Sequence, residues 1–139
     1  MVYADYWIAL QEGHLTYGTF EDYKSIINRH IKPSMKGLRM RDVLPDDITR
    51  MMKEVANFSK SVHDKTYMLA KQMFTNAYDN KLISENPCPK MHAGGRDPVE
   101  RQALTNEQMT TLIEAVKGTR AYVFCMIGLY SGLRREEIL

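Results

Sequence analysis

Cysteine is scarce. Cys88 and Cys125 are the only two in 139 residues and neither belongs to a CxxC pair. A disulfide framework and a zinc module built on paired thiols are therefore excluded, and a reducing cytoplasm fits this usage. Cys88 and His92 stand close in sequence, but a metal site needs three or four ligands and no second pair stands at suitable spacing, so no metal is expected. Long apolar runs are missing too. The longest, from Ala121 to Tyr130, falls well short of the roughly 20 residues that a membrane-spanning helix requires. The N-terminus lacks a basic region followed by an apolar one, so neither export nor a membrane role is indicated. Strand-like alternation is absent from the half before Pro87, and internal repeats and low-complexity tracts are absent throughout. Net charge is weak as well: 19 Lys and Arg against 17 Asp and Glu leave +2, too little to announce a nucleic-acid partner by itself.

What the chain does have is apolar residues at helical spacing, within a 44% hydrophobic content that suffices for a folded core. Tyr3, Tyr6, Trp7 and Leu10 make a first stripe that Gly13 stops. Thr19 is placed to cap a second helix, with Asp22 completing a capping-box variant, and Phe20, Tyr23, Ile27 and Ile31 share a face until Pro33 ends it. Pro45 fits the first position of a third helix, Asp46 and Asp47 its first turn, and Ile48, Met51, Met52 and Val55 its buried side. Ser59 or Ser61 can cap a fourth, carrying Val62, Leu69, Met73 and Ala77 to about Lys81 before Asn86-Pro87 forbids continuation. From Pro87 to Gln102, three prolines, Gly94-Gly95 and scattered charges read as an extended connector that packs little of its own. Thr105 and Gln108 then form a capping box for a helix that buries Met109, Leu112, Ile113 and Val116 and closes at Gly118; another apolar helix covers about 120–130, and Ser131-Gly132 turns the chain into a last helical start.

The charges are unevenly placed. Between Tyr23 and Arg41 lie Lys24, Arg29, Lys32, Lys36, Arg39 and Arg41 with no acid, whereas Thr105–Leu139 balances four basic residues against four acidic ones. Such a run is either a solvated helix face or a surface that neutralises phosphates by displacing counterions.

Taken in order, Thr19-x-x-x-Tyr23, Ile31-Lys32-Pro33, the Pro-Asp-Asp-Ile turn at 45–48, Ala77-Tyr78-x-x-x-Leu82-Ile83-x-x-Asn86-Pro87, Leu104-Thr105 and Ser131-Gly132-Leu133-Arg134-x-x-Glu137 resemble the tyrosine recombinases, the phage-integrase family. The resemblance covers almost the whole chain. It implies an all-α fragment: a four-helix SAM-like core-binding domain at 1–86, a linker at 87–103, and at 104–139 the opening helices of a truncated mixed α/β catalytic domain. It implies duplex DNA as the partner, a parent that assembles as a multimer on DNA, and no cofactor, metal, membrane or small-molecule ligand. Enzymes of this family attack a phosphodiester with a tyrosine, forming a 3′-phosphotyrosyl link.

The residues expected to contact the backbone of DNA are Thr19, Lys24, Lys36, Arg39, Ser61, His63, Lys65 and Lys71. Thr19 and Ser61 are included because helix N-termini offer N–H donors and a positive dipole end. By the resemblance, Arg134 corresponds to the family's first catalytic arginine and Glu137 to the supporting acid, with Arg135 the alternative if the register is off by one. A guanidinium's planar fork suits the oxygens of a phosphodiester under attack. Locally, Arg134 and Arg135 read equally well as solvated residues paired with Glu136 and Glu137. None of His14, His30, His63 or His92 has an arginine three positions later, so no His-x-x-Arg pair is present and the fragment alone is expected to be inactive. The rival readings are a helical protein-interaction module and a helix-turn-helix regulator; the long connector argues against the latter.

Overall fold

The structure, a computed structural model, describes residues 2–90, 94–100 and 102–138. It divides into two compact units, Met1–Pro98 and Val99–Leu139. No strand occurs among the described residues, which carry only an isolated bridge between Ser59 and Arg96, and no helix among them is long and apolar enough to cross a membrane.

In the first unit, α1 (Val2–Leu10) buries Ala4, Trp7 and Ile8. Its inward face is rotated from the expected one: Tyr6 and Leu10 are exposed, because Ala4 permits close approach and Ile8 follows it one turn later. The second helix, α2 (Tyr17–Ile26), passes through a π-turn (Ile27–Ile31) into the short α3 (Lys32–Ser34). Pro33 thus does not end the helix, contrary to the expectation from sequence. Its ring lacks an N–H and in a regular helix would collide with the carbonyl four residues back. Here Lys32 N–H reaches back five residues to the Ile27 carbonyl, and this wider turn makes room for the ring. Ser34 Oγ donates to the His30 carbonyl at 2.8 Å.

A 3₁₀ turn (Met40–Asp42) leads to α4 (Pro45–Glu54), with Pro45 in the first position as the sequence predicts. Asp47 holds its N-terminus: Leu44 N–H donates to Oδ2 at 3.0 Å and Arg50 Nη2 to Oδ1 at 2.5 Å. The Leu44 bond chiefly, then Arg50, holds this carboxyl below the ordinary carboxylate range. A depressed folded pKa means that the contribution is complete above about pH 5 and is lost as pH falls below about 4. Asp47→Ala should lower stability by about 0.5–2 kcal/mol at pH 7. The deficit should shrink toward pH 3 in denaturant melts; a pH-independent deficit would contradict the ionised cap.

The 20-residue α5 (Lys60–Asp79) buries His63, Thr66, Tyr67, Leu69, Ala70, Met73, Phe74 and Ala77. Of these, Leu69, Ala70, Met73, Phe74 and Ala77 form the core with Trp7, Ile27, Ile31, Met35, Ile48 and Met51 among others, each large apolar side chain contributing about 1.5–3 kcal/mol of transfer free energy. Lys81 terminates the helix in a left-handed conformation at φ 58°, with Leu82 N–H on the Ala77 carbonyl and Lys81 N–H on that of Tyr78, both at 2.9 Å, the Schellman arrangement.

The second unit holds α6 (Asn106–Val116), α7 (Ala121–Ser131) and α8 (Arg135–Ile138). The expected capping box is present, with Gln108 N–H on Thr105 Oγ1 at 3.2 Å and Thr105 N–H on Gln108 Oε1 at 3.0 Å. Gly132, at φ 67°, supplies the left-handed C-cap of α7. Met109, Leu112, Ile113 and Val116 are only half-buried, and no described residue of this unit is fully buried.

Candidate nucleic-acid interface

The surface cations fall into two groups. In the first, each is already paired: Lys24 with Glu21 at 3.7 Å, Lys32 with Asp5, Arg39 with Asp42 at 2.6 Å, and Lys65 with Asp22 at 3.1 Å. Lys24 also lies 5.9 Å from the centre of the Phe20 ring. Lys36 and Lys71 are exposed and make no ion pair among the described residues. A paired lysine has part of its charge already screened by its partner, so the unpaired ones are the freer counterions for an anion.

The two expected helix-end positions are each displaced. Thr16, not Thr19, is the N-cap of α2; Thr19 lies inside the first turn, its Oγ1 2.9 Å from that of Thr16. Ser59, not Ser61, caps α5, its side chain accepting from Val62 N–H at 3.4 Å. Nor do the two helix starts form one site. The Asp22–Lys65 pair and the edge-on packing of His30, beyond α2, against Phe58, before α5, ring centres 5.0 Å apart, show that the two segments run antiparallel, so their helix N-termini are offset by about 15 Å along the axis at 1.5 Å per residue.

His63 is only 3% exposed. Its Nδ1 lies 3.1 Å from Asp64 Oδ1 and its other edge is covered by Gly94. It cannot touch a duplex while that cover stays, which corrects its place among the contact residues. The hydrogen bond to His63 is the main reason that the Asp64 carboxyl sits below its ordinary value, with Lys60 adding to it.

The covering residue belongs to the connector, which is hydrogen-bonded to the first unit at Asn86, Pro89 and Arg96. Asn86 Nδ2 donates to Thr75 Oγ1 at 3.0 Å, Tyr67 OH donates to the Pro89 carbonyl, Arg96 N–H donates to the Phe58 carbonyl at 2.7 Å, and Lys60 N–H donates to the Arg96 carbonyl at 2.9 Å. Composition missed this because the contacts join residues far apart in sequence, and at Arg96 they are made by backbone atoms alone. Burial pushes the Cys88 thiol up to about 12, against a smaller opposite pull from Lys71, leaving little thiolate for chemistry. No cluster of three or more metal-ligating side chains occurs among the described residues, and His92 lies outside them.

In the second unit, the Arg134 side chain is 85% exposed. Glu137 Oε2 accepts the Arg134 backbone N–H at 2.7 Å, and the guanidinium stands 3.7 Å from Oε1. Glu137 therefore chiefly caps the start of α8 and holds the guanidinium only loosely, leaving its donor fork free. Arg135 pairs with Glu136 at 2.8 Å.

Residues 2–56 match the family model for the phage integrase, N-terminal SAM-like domain. No curated protein and no solved structure matches the chain. The matched span runs from α1 through α4. Over residues 2–56 the chain is thus similar to the N-terminal SAM-like domain of phage integrases, the tyrosine recombinases.

Proposed function

We propose that the chain is the DNA-holding part of a site-specific recombinase that breaks and rejoins DNA through a 3′-phosphotyrosyl intermediate. The observation that carries this reading is the integrase SAM-like match over residues 2–56. In it, residues 1–86 are a four-helix core-binding domain, 87–103 join it to the next, and 104–139 open a catalytic domain. Phosphates are contacted by Lys24, Lys36, Arg39, Lys65 and Lys71, with Thr19 and Ser61 as first-turn hydroxyls beside them. Arg134 steadies the charge on the scissile phosphate. The parent enzyme works as a multimer on DNA in the cytoplasm, and this chain alone neither cleaves nor religates.

Titrating the chain with duplex DNA at increasing salt tests the reading. Binding should weaken by roughly tenfold or more between 50 and 200 mM salt if several phosphates are neutralised. Lys36→Glu and Lys71→Glu should each weaken binding across all sequences and reduce the salt slope by about 1, and more than Lys24→Glu, whose lysine is already paired. A groove of about 880 Å³ between α1 and α5, lined by Trp7, Gln11, Met68 and Gln72 among others, favours the second reading, a protein-interaction module. Salt-insensitive binding, or none, would support that reading and defeat the first.

A further inference from the structure

The residues that follow α5 return along it. Asn86, Pro89, Gly94 and Arg96 meet Thr75, Tyr67, His63 and Lys60 in turn, so the described parts of the connector run antiparallel to the helix and end at its head. The fit there is close. A Cβ on Gly94 would lie 2.5 Å from His63 Nε2, and one on Gly95 would lie 2.7 Å from Lys60 Cα. Gly95 also sits at φ +81°, which side chains rarely adopt. At the same point the Arg96 carbonyl accepts the Lys60 N–H, one of the first-turn donors that a helix cannot satisfy internally. Ser59 Oγ takes another, from Val62. Gly94–Arg96 thus completes the N-terminus of α5 with backbone alone.

We infer that Gly94–Arg96 is a releasable strap whose seating on the head of α5 sets the free length of chain leading to the second unit. With the strap seated, the chain from Arg96 to the α6 cap at Thr105 can span at most about 30 Å. With Gly94–Arg96 released and the chain still held at Pro89 by the Tyr67 hydroxyl, the tether to Thr105 spans at most about 55 Å. Two backbone hydrogen bonds and a glycine contact hold the seat, and all three lie at the edge of the unit, where local opening precedes global unfolding.

Amide hydrogen exchange and small-angle X-ray scattering on the whole chain test it. Gly94→Ala forces a methyl onto His63 and should unseat the strap. Exchange at the Lys60 amide should rise at least tenfold and the maximum dimension should grow, with exchange across Leu69–Phe74 unchanged. Arg96→Pro removes the donor to Phe58 without touching the core and should do the same. Gly94→Ala combined with His63→Ala makes room for the methyl and should restore slow Lys60 exchange. If both single variants kept Lys60 slow, or sped it without changing the maximum dimension, the strap would not set the reach.

Discussion

Phe74→Ala should lower the stability of the first unit by about 3–5 kcal/mol, the top of the range for a single side-chain truncation. Phe74 is completely buried at the centre of α5's inward face. Its loss removes transfer free energy and leaves a cavity that Leu69, Ala70 and Met73 on the same helix cannot fill by themselves. For a unit of this size the melting temperature should fall by more than about 10 °C, since each kcal/mol is worth about 4–8 °C. Tyr78→Ala, four residues on but half exposed, is the control and should change stability by about 0.5 kcal/mol or less. Calorimetry of both variants decides the matter. Equal losses would show that the core is not centred on α5.

Arg134→Ala and Arg134→Lys, in a recombinase that carries this chain with the rest of its catalytic machinery, should each cut strand cleavage by about a hundredfold or more while leaving DNA affinity nearly unchanged. That is the loss typical of removing one preorganised donor from a developing oxyanion. Lysine should not rescue, because a point charge cannot reproduce the guanidinium fork. Arg135→Ala should cost far less, since that side chain is already paired with Glu136. Glu137→Gln should be mild, because Glu137 chiefly caps the α8 backbone. A suicide substrate that traps the covalent intermediate supplies the readout. Exchange of the Arg134 and Arg135 results would move the assignment by one residue.

Helix interiors were legible in the sequence because burial imposes a period on them. Ile48, Met51 and Val55, and Leu69, Met73 and Ala77, lie where their spacing puts them, and Pro45 and the Thr105–Gln108 box mark true starts. Caps among neighbouring hydroxyls were less legible. Thr16 and Thr19, or Ser59 and Ser61, have the same chemistry, and only the backbone angle at the cap, extended at Thr16 and at Ser59, separates them. The burial of His63 was not legible either, because its cover is Gly94, a residue without a side chain to contribute to any pattern. Of the candidate contact surface, the cations could be found from sequence but not their partners: Asp22 lies 43 residues from Lys65 and Asp5 lies 27 from Lys32.

The π-turn in the middle of the α2–α3 rod also acts as a phase corrector. Tyr23, Ile27, Ile31 and Met35 recur every fourth residue, and at 100° per residue three such steps would swing the last of them about 120° off the face of the first. Met35 would then point toward solvent. The surplus residue absorbed by the wide turn takes back about 100°, leaving a drift of only about 20°. All four side chains consequently address one core, with Ile31 and Met35 fully enclosed and Tyr23 packed at its edge. The turn that admits Pro33 is thus the same one that lets a four-residue rhythm, unsuited to a regular helix, line a single wall.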